Sequence, residues 1–358
     1  MYFTLNEFKT TVHIRDEIPS IQEIALELGM EKSGASFKPL ITADENSLYI
    51  AEKICGGFDY PVCVLKSGEE NKNLQAVETI LAAAFKAGIG RDGIFIAAGG
   101  GVICDLTAFA SSIYMRGCRL VLVPTTLLCM VDASVGGKTG FDLFGIKNLI
   151  GSFYPAETVY MPVNVLSTLP EREWKSGMAE IIKTAILSDD DFIEQIAINK
   201  ERSTFIKDFI ERAVTFKGGI VSEDLRESEN GKRKLLNLGH TFAHALESAA
   251  GLGSVSHGEA VAWGIVRACE LGCRLGITPK ARAEKIRGLI ASFGYEIAAP
   301  HPLSDNADAL INAMKNDKKK HGGKLTFVVP DEKSARCAVL ESETEFKLVK
   351  NILNGNIK

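Results

Sequence analysis

None of the eight cysteines is paired as Cys-x-x-Cys. That spacing marks most structural zinc sites and dithiol redox centres, so neither is indicated. Cys269 and Cys273 fall one turn apart in a helical pattern and read as packing residues. Free thiols suit a reducing compartment, and a cytoplasmic location is expected. No basic excess exists either. Lys and Arg number 41 against 45 Asp and Glu, the net charge is −4 and the pI is about 6.0. A nucleic-acid partner is therefore not expected. The longest apolar run, LVLVPTTLLCMV (120–131), contains a proline. It falls short of the roughly 20 residues of a membrane helix, so no membrane partner is expected. The first residues, MYFTLNEFKTTVHIRDEIP, lack a basic segment followed by an apolar one, and no signal peptide is expected. Internal repeats and low-complexity segments are absent.

What remains is a chain of 358 residues, 46% apolar and 24% charged, the profile of a globular protein long enough for two domains. Through residue 165 short apolar runs alternate with helical patterns. PLIT (39–42), YPVCVL (60–65), GIFIAAG (93–99) and RLVLVP (119–124) read as buried strands, with helices over 45–55, 73–88 and 102–114. Such alternation predicts a parallel sheet with helices on its faces, an α/β domain over 1–165. GGGV (99–102) sits where a strand meets a helix. Bare glycine backbone at a helix N-terminus can accept a phosphate, although a tight turn explains the same residues. From 166 to 358 the pattern is helical, with helices near 204–222, 235–250, 257–275 and 280–293.

SVGGKTG (134–140) resembles the end of a triphosphate loop. The full motif needs a glycine five positions before the last one. Asp132 stands there instead, and its charge would repel a triphosphate, so the NTPase reading is weak.

In LLNLGHTFAHALESAAG (235–251), Leu235, Leu238, Phe242, Ala245 and Ala249 form an apolar stripe, while Asn237, His240, His244 and Glu247 form a polar one. Two histidines and an amide on one helix face suit a ligand site better than a solvated face, which usually carries Lys and Glu. The zinc-protease pattern H-E-x-x-H fails because Thr241 follows His240. Two histidines with one carboxylate remain a possible metal set. In SHGEA (256–260), Ser256 and Glu259 have capping-box spacing. His257 is not needed for the cap. At a helix N-terminus it is expected neutral, as a metal ligand must be. Glu180 and Lys183 lie one turn apart in GMAEIIK (177–183), which suits an exposed ion pair or a site equally.

Taken together, GEENK (68–72), GGGVICDLTAF (99–109), YMRG (114–117), PTTLLCMVDASVGGKTG (124–140), KNLIGSFY (147–154), STLPEREWKSGMAEIIK (167–183), LLNLGHTFAHALE (235–247) and SHGEAVAWG (256–264) resemble the 3-dehydroquinate synthases of the sugar-phosphate cyclase superfamily, over about residues 40–330. The resemblance implies a Rossmann-like NAD-binding domain over 1–165, then an all-helical metal-binding domain over 166–358, with the active site between them, in a homodimer. The implied reaction converts 3-deoxy-D-arabino-heptulosonate 7-phosphate into 3-dehydroquinate and phosphate, in the shikimate route to aromatic amino acids. NAD oxidises a ring hydroxyl, phosphate leaves by elimination, and the ketone is reduced before an aldol step closes the carbocycle.

By matching motifs, the implied metal ligands for zinc or cobalt are Glu180, His240 and His257. The catalytic set is His244, Lys138, Asp132, Lys183 and Asn237. Substrate contacts fall to Lys147, Asn148, Lys217, Arg233 and Lys318, and to Arg116, which reaches the phosphate across the dimer. NAD contacts fall to Asp44, Asn46, Glu69, Lys72, Gly100, Gly101, Val102, Asp105, Thr125, Thr126, Lys138, Lys147 and Thr168. Some positions depart from the family pattern. Ala108 and Ala243 replace glycines, Asp142 stands where asparagine is usual, the next glycine comes one residue early, and the stretch from Lys217 to His240 is slightly long. A sister cyclase acting on sedoheptulose 7-phosphate, a metal-dependent polyol dehydrogenase and a non-catalytic binding module are the rival readings. The intact GGKTG segment, the Lys and Arg array and the separated metal ligands argue against them in turn.

Overall fold

The computed structural model describes residues 1–5, 8–30, 37–201, 204–228, 231–251, 253–320, 325–340 and 342–355, without the side chains of 305, 316–320 and 343. Two strands, β1 (Tyr2–Leu5) and β2 (Phe8–Arg15), lead to helix α1 (Ile21–Glu27). Alternation follows through β3 (Pro39–Asp44), α2 (Leu48–Cys55), β4 (Val62–Leu65), α3 (Leu74–Lys86), β5 (Ile94–Gly99), α4 (Gly101–Ile113) and β6 (Arg119–Pro124). A hairpin of β7 (Lys138–Leu143) and β8 (Ile146–Phe153) precedes β9 (Thr158–Pro162). Helices α5 (Glu171–Ser188), α6 (Asp190–Ile198), α7 (Ile206–Glu223), α8 (His240–Ala250), α9 (His257–Arg274), α10 (Lys280–Ser292) and α11 (Ala307–Lys320) come next. A ribbon of β10 (Leu325–Pro330) and β11 (Ala335–Leu340) and helix α12 (Glu343–Leu353) follow. The chain divides into two compact units, Met1–Trp174 with Ile206–Arg226, and Lys175–Phe205 with Glu227–Lys358.

The first unit is built on a seven-stranded sheet in the order β1-β2-β9-β6-β5-β3-β4. All neighbours are parallel except β1 and β2. β5 (IFIAAG) and β9 (TVYMP) are buried at every position, as strands covered on both faces must be. The four expected strands and three expected helices are present. β1 and β2 escaped sequence reading because they are half exposed at the sheet edge, and β8 because it is mostly exposed. Chain order reverses between β3 and β5, since β4 lies on one side and β6 and β9 on the other. Ligands of such sheets bind at the strand carboxyl ends at this switch point. Here those ends are Asp44 and Gly99, the latter running directly into α4.

The second unit is helical apart from the β10–β11 ribbon, which sequence periodicity did not reveal. α9 is its axis, buried at Gly258 and from Ala260 through Gly272. Phe242 of α8 packs on Trp263 of α9 and on Phe327 of β10, with ring centroids 6.3 and 4.9 Å apart. Truncating so large a buried ring typically costs about 3–5 kcal/mol. The single helix expected over 235–251 is divided. Residues Lys232–Asn237 form a 3-10 turn, and α8 begins at His240 after Gly239, whose φ of +80° no side-chain-bearing residue adopts easily. Among the described residues no helix is long and apolar enough to cross a membrane.

Candidate metal centre and cofactor cradle

In the second unit, ligand atoms of Glu180, His240 and His257 lie within 4.8 Å of one another. They come from α5, α8 and α9. Close backbone approaches at glycines set the geometry. A Cβ on Gly264 would stand 2.3 Å from Gly239 O, and one on Gly258 would stand 2.4 Å from Ser176 Cα. Two helix-starting histidines are thereby brought beside Glu180, one turn beyond Ser176 in α5. His240 Nε2 is 3.7 Å and His257 Nε2 3.4 Å from Glu180 Oε1. Glu180 is 2% exposed, and Oε1 has no hydrogen-bond partner. A buried anionic oxygen facing two imidazole nitrogens at 3.4 and 3.7 Å, with no other partner, fits a divalent cation of the zinc type.

The charges agree with that fit. Burial opposes ionisation of Glu180, but the Lys183 ammonium bonded to its Oε2, together with the two imidazoles, holds it well below the usual carboxylate range. Burial and the Lys183 charge push His240 well below its ordinary value, so it is a neutral donor. Its Nδ1 lies 3.2 Å from Leu238 O, which leaves Nε2 for the centre. His257 differs from the neutral imidazole expected at a helix N-terminus. Burial lowers it, but Glu180 and Glu247 outweigh burial and raise it to about 10. The capping box of Ser256 and Glu259 forms as expected and leaves His257 free of capping. His244 sits with its ring centroid 5.2 Å from that of His240. Asn237 lies on the preceding 3-10 turn, so the expected four-residue stripe begins at His240. Its Nδ2 donates to Glu227 Oε1 at 2.6 Å. Arg233 is buried in the same turn. Lys318 falls on α11, and its side chain lies outside the described residues.

In the first unit, Gly100 caps α4 and Gly101 is its first residue. A Cβ at Gly100 would meet Thr126 Cγ2 at 3.2 Å, and one at Gly101 would meet Ala133 Cβ at 3.7 Å. Thr125 N donates to Gly99 O at 2.9 Å, and Thr126 Oγ1 accepts from Cys129 N at 3.2 Å. Val102 and Asp105 occupy the first turns of α4. Bare backbone at a helix N-terminus at a sheet switch point fits the pyrophosphate of a dinucleotide. Lys72, 4% exposed, donates to Asp105 Oδ2 and Asn148 Oδ1, each at 2.6 Å. Asp44 ends β3, with Oδ1 accepting from Asn46 N at 3.0 Å and from Ser47 N at 2.8 Å. Glu69 lies on the 3-10 turn after β4. Thr168 ends the turn after β9, its hydroxyl donating to Val165 O at 3.1 Å.

Lys138 opens β7, so the GGK segment leads into a strand and not into the helix a triphosphate loop requires. A Cβ on Gly137 would also meet Pro155 Cγ at 2.8 Å. The strand removes the NTPase reading, and the Pro155 contact accounts for the glycine. Lys138 and Lys147 are exposed along the hairpin, and Arg116 is exposed on the turn after α4. Lys217 of α7 donates to both the carboxylate and the main-chain carbonyl of Asp132. Asp142 had no assigned role, yet its N donates to Lys72 O at 2.8 Å and its Oδ1 accepts from Asn148 N at 2.7 Å. An asparagine oxygen could accept the same bond, so this departure from the family pattern preserves the link. Glu247 was visible in the polar stripe but not as a neighbour of His257, because they lie on different helices.

Residues 62–176 match the family described as 3-dehydroquinate synthase N-terminal, and residues 177–320 match 3-dehydroquinate synthase C-terminal. The 3-dehydroquinate synthase of Campylobacter fetus subsp. fetus is 42% identical over 273 residues, covering 76% of this chain and 77% of the relative. A solved structure of 2-epi-5-epi-valiolone synthase from Streptomyces hygroscopicus, with NAD+ and Zn2+ bound, shares the fold at a TM-score of 0.83 and 24% identity, covering 98% of this chain and 97% of that one. A 2-deoxy-scyllo-inosose synthase complexed with carbaglucose-6-phosphate, NAD+ and Co2+ shares it at 0.81 and 23%, covering 99% of each chain. On the two matched stretches and the identity to the Campylobacter relative, the chain belongs to the 3-dehydroquinate synthase family.

Proposed function

We propose that this chain is a carbon–oxygen lyase that converts 3-deoxy-D-arabino-heptulosonate 7-phosphate into 3-dehydroquinate and phosphate, using NAD catalytically and one divalent metal. The observation that carries the reading is the Glu180, His240 and His257 donor set, in a chain whose relatives are 3-dehydroquinate synthases. Cofactor binding is assigned to residues 1–165 and metal binding to 166–358. A cytoplasmic homodimer and a place in the shikimate route belong to the same proposal.

A zinc or cobalt ion held by Glu180, His240 and His257 would polarise the hydroxyl to be oxidised, a Lewis-acid role. NAD, cradled by Gly100, Gly101, Val102, Thr125 and Thr126, and edged by Asp44, Asn46, Glu69, Lys72, Asp105 and Thr168, would take up the hydride and return it. His244, one turn from His240, takes and returns protons at the substrate's oxygens. The substrate has a carboxylate and a phosphate ester, which suit charge-assisted bonds from Lys and Arg. Lys138, Lys147, Asn148, Arg233, Asn237 and Lys183 supply them, with Arg116 at the phosphate across the dimer and Lys318 as a further contact. Asp132, oriented by Lys217, holds a hydroxyl. Lys183 also fixes the charge of Glu180.

The test is release of inorganic phosphate from the heptulosonate phosphate by metal-loaded protein with substoichiometric NAD. Phosphate in large excess over NAD supports the proposal. No phosphate from this substrate, or one NADH per turnover with a polyol, would replace it with the dehydrogenase reading.

A further inference from the structure

The two histidines of the donor set are held by different groups on their far sides. His240 Nδ1 lies 3.2 Å from a neutral acceptor, Leu238 O. His257 Nδ1 lies 3.5 Å from a carboxylate oxygen, Oε1 of Glu247. Glu247 belongs to α8 and reaches His257 at the start of α9. Its side chain is only 10% exposed, and that of His257 is 26% exposed. In both rings Nε2 is the nitrogen that faces Glu180.

We infer that Glu247 is a positioning residue for His257. It accepts the Nδ1–H proton and fixes the tautomer with Nε2 free for the metal. The inference rests on the metal-centre reading above. A carboxylate behind a metal-bound imidazole does two separable things. Its oxygen holds the ring's orientation and tautomer, and its charge raises the ring's basicity. A carbonyl such as Leu238 O does only the first. Packing alone would not require a carboxylate here, because an uncharged side chain of the same shape would fill the space.

Glu247→Gln keeps an oxygen acceptor and removes the charge, whereas Glu247→Ala removes both. Zinc affinity is measured by competition with a chromogenic chelator, alongside thermal melting and NAD calorimetry. Histidine nitrogen NMR of the zinc-loaded protein reports the tautomer of His257. The expected result is a loss of zinc affinity of about 10-fold in Glu247→Gln and up to about 100-fold in Glu247→Ala, the usual range for such partners. NAD affinity should be unchanged, and the His257 tautomer retained only in Glu247→Gln. If Glu247→Ala fails to fold, Glu247→Gln carries the test through its loss of affinity. Wild-type zinc affinity in the folded variants, with an unaltered His257 spectrum, would overturn the inference and leave the metal centre standing. Wild-type protein that binds no zinc would overturn both.

Discussion

Lys72, on the turn after β4, and Asp105, in α4, are 33 residues apart in the chain and form an ion pair at 2.6 Å, with side chains 5% and 18% exposed. Burial pushes the Asp105 carboxyl above its ordinary range even with the ammonium beside it. Removing Lys72 would leave that carboxyl without its partner and release Asn148 from its bond to Lys72 Nζ. Lys72→Ala is expected to lose about 3–5 kcal/mol of stability, the usual effect of breaking a buried pair from one side. NAD affinity should fall with it. Calorimetric melting and NAD titration measure both, and an unchanged melting temperature with normal NAD binding would contradict the role given to this pair.

Metal removal comes next. Three donors on three helices suit about one divalent ion per chain, with a coordination position left for substrate. Chelation should abolish phosphate release, and zinc or cobalt should restore it. His257→Ala should hold less than a tenth of the wild-type metal at equal free zinc. Full turnover by that variant after exhaustive chelation would remove the metal from the mechanism.

The metal must also displace a proton. Glu180 is already ionised and His240 already neutral near pH 7, whereas Glu180 and Glu247 raise His257 to about 10 against burial. Below pH 10 the metal-free chain therefore carries one proton on His257 that binding releases. Zinc affinity is expected to rise about tenfold per pH unit between pH 6.5 and 8.5, in the direction ligand deprotonation requires. Competition titrations at the two ends of that range measure the slope. A flat profile would mean that His257 is neutral before the metal arrives.

Lys138 opens β7 with its side chain exposed. As a donor to an anionic or hydroxyl oxygen of the substrate, it should matter in turnover and not in metal binding. Lys138→Ala is expected to cost on the order of 2–4 kcal/mol of transition-state stabilisation. Zinc binding should stay at wild-type level, and neither protein should bind ATP. Wild-type turnover by the variant would remove Lys138 from the site.

Much of this was legible in the chain, for identifiable reasons. β3, β5 and β6 are buried, so their apolar runs announced themselves. β1 and β2 alternate with solvent and did not. His240 and His244 stood out in the chain because a polar stripe one turn apart is a local spacing signal, whereas Glu180 and His257 entered the proposed donor set through the family motifs. The break at Gly239 was not visible, because it depends on α9 lying against that backbone. Lys72, Asp142 and Asn148 are far apart in sequence and meet only once the β7–β8 hairpin forms, so no periodicity linked them. Glu247 and His257 escaped pairing for the same reason.

The glycine contacts at Gly239, Gly258 and Gly264 have a mechanical result. At these places α8 meets α9, and α9 meets α5, main chain to main chain, with no side chain in between to yield. His240 and His257 each open a helix anchored this way, so both imidazoles hang from stiff mounts. Glu180 reaches the centre at the end of a longer and suppler stem. The centre is a caliper with two fixed jaws and one adjustable jaw. In the proposed centre, ions of nearly equal radius, such as zinc and cobalt, would need only a small swing of Glu180, whereas a markedly larger ion would have to prise helices apart.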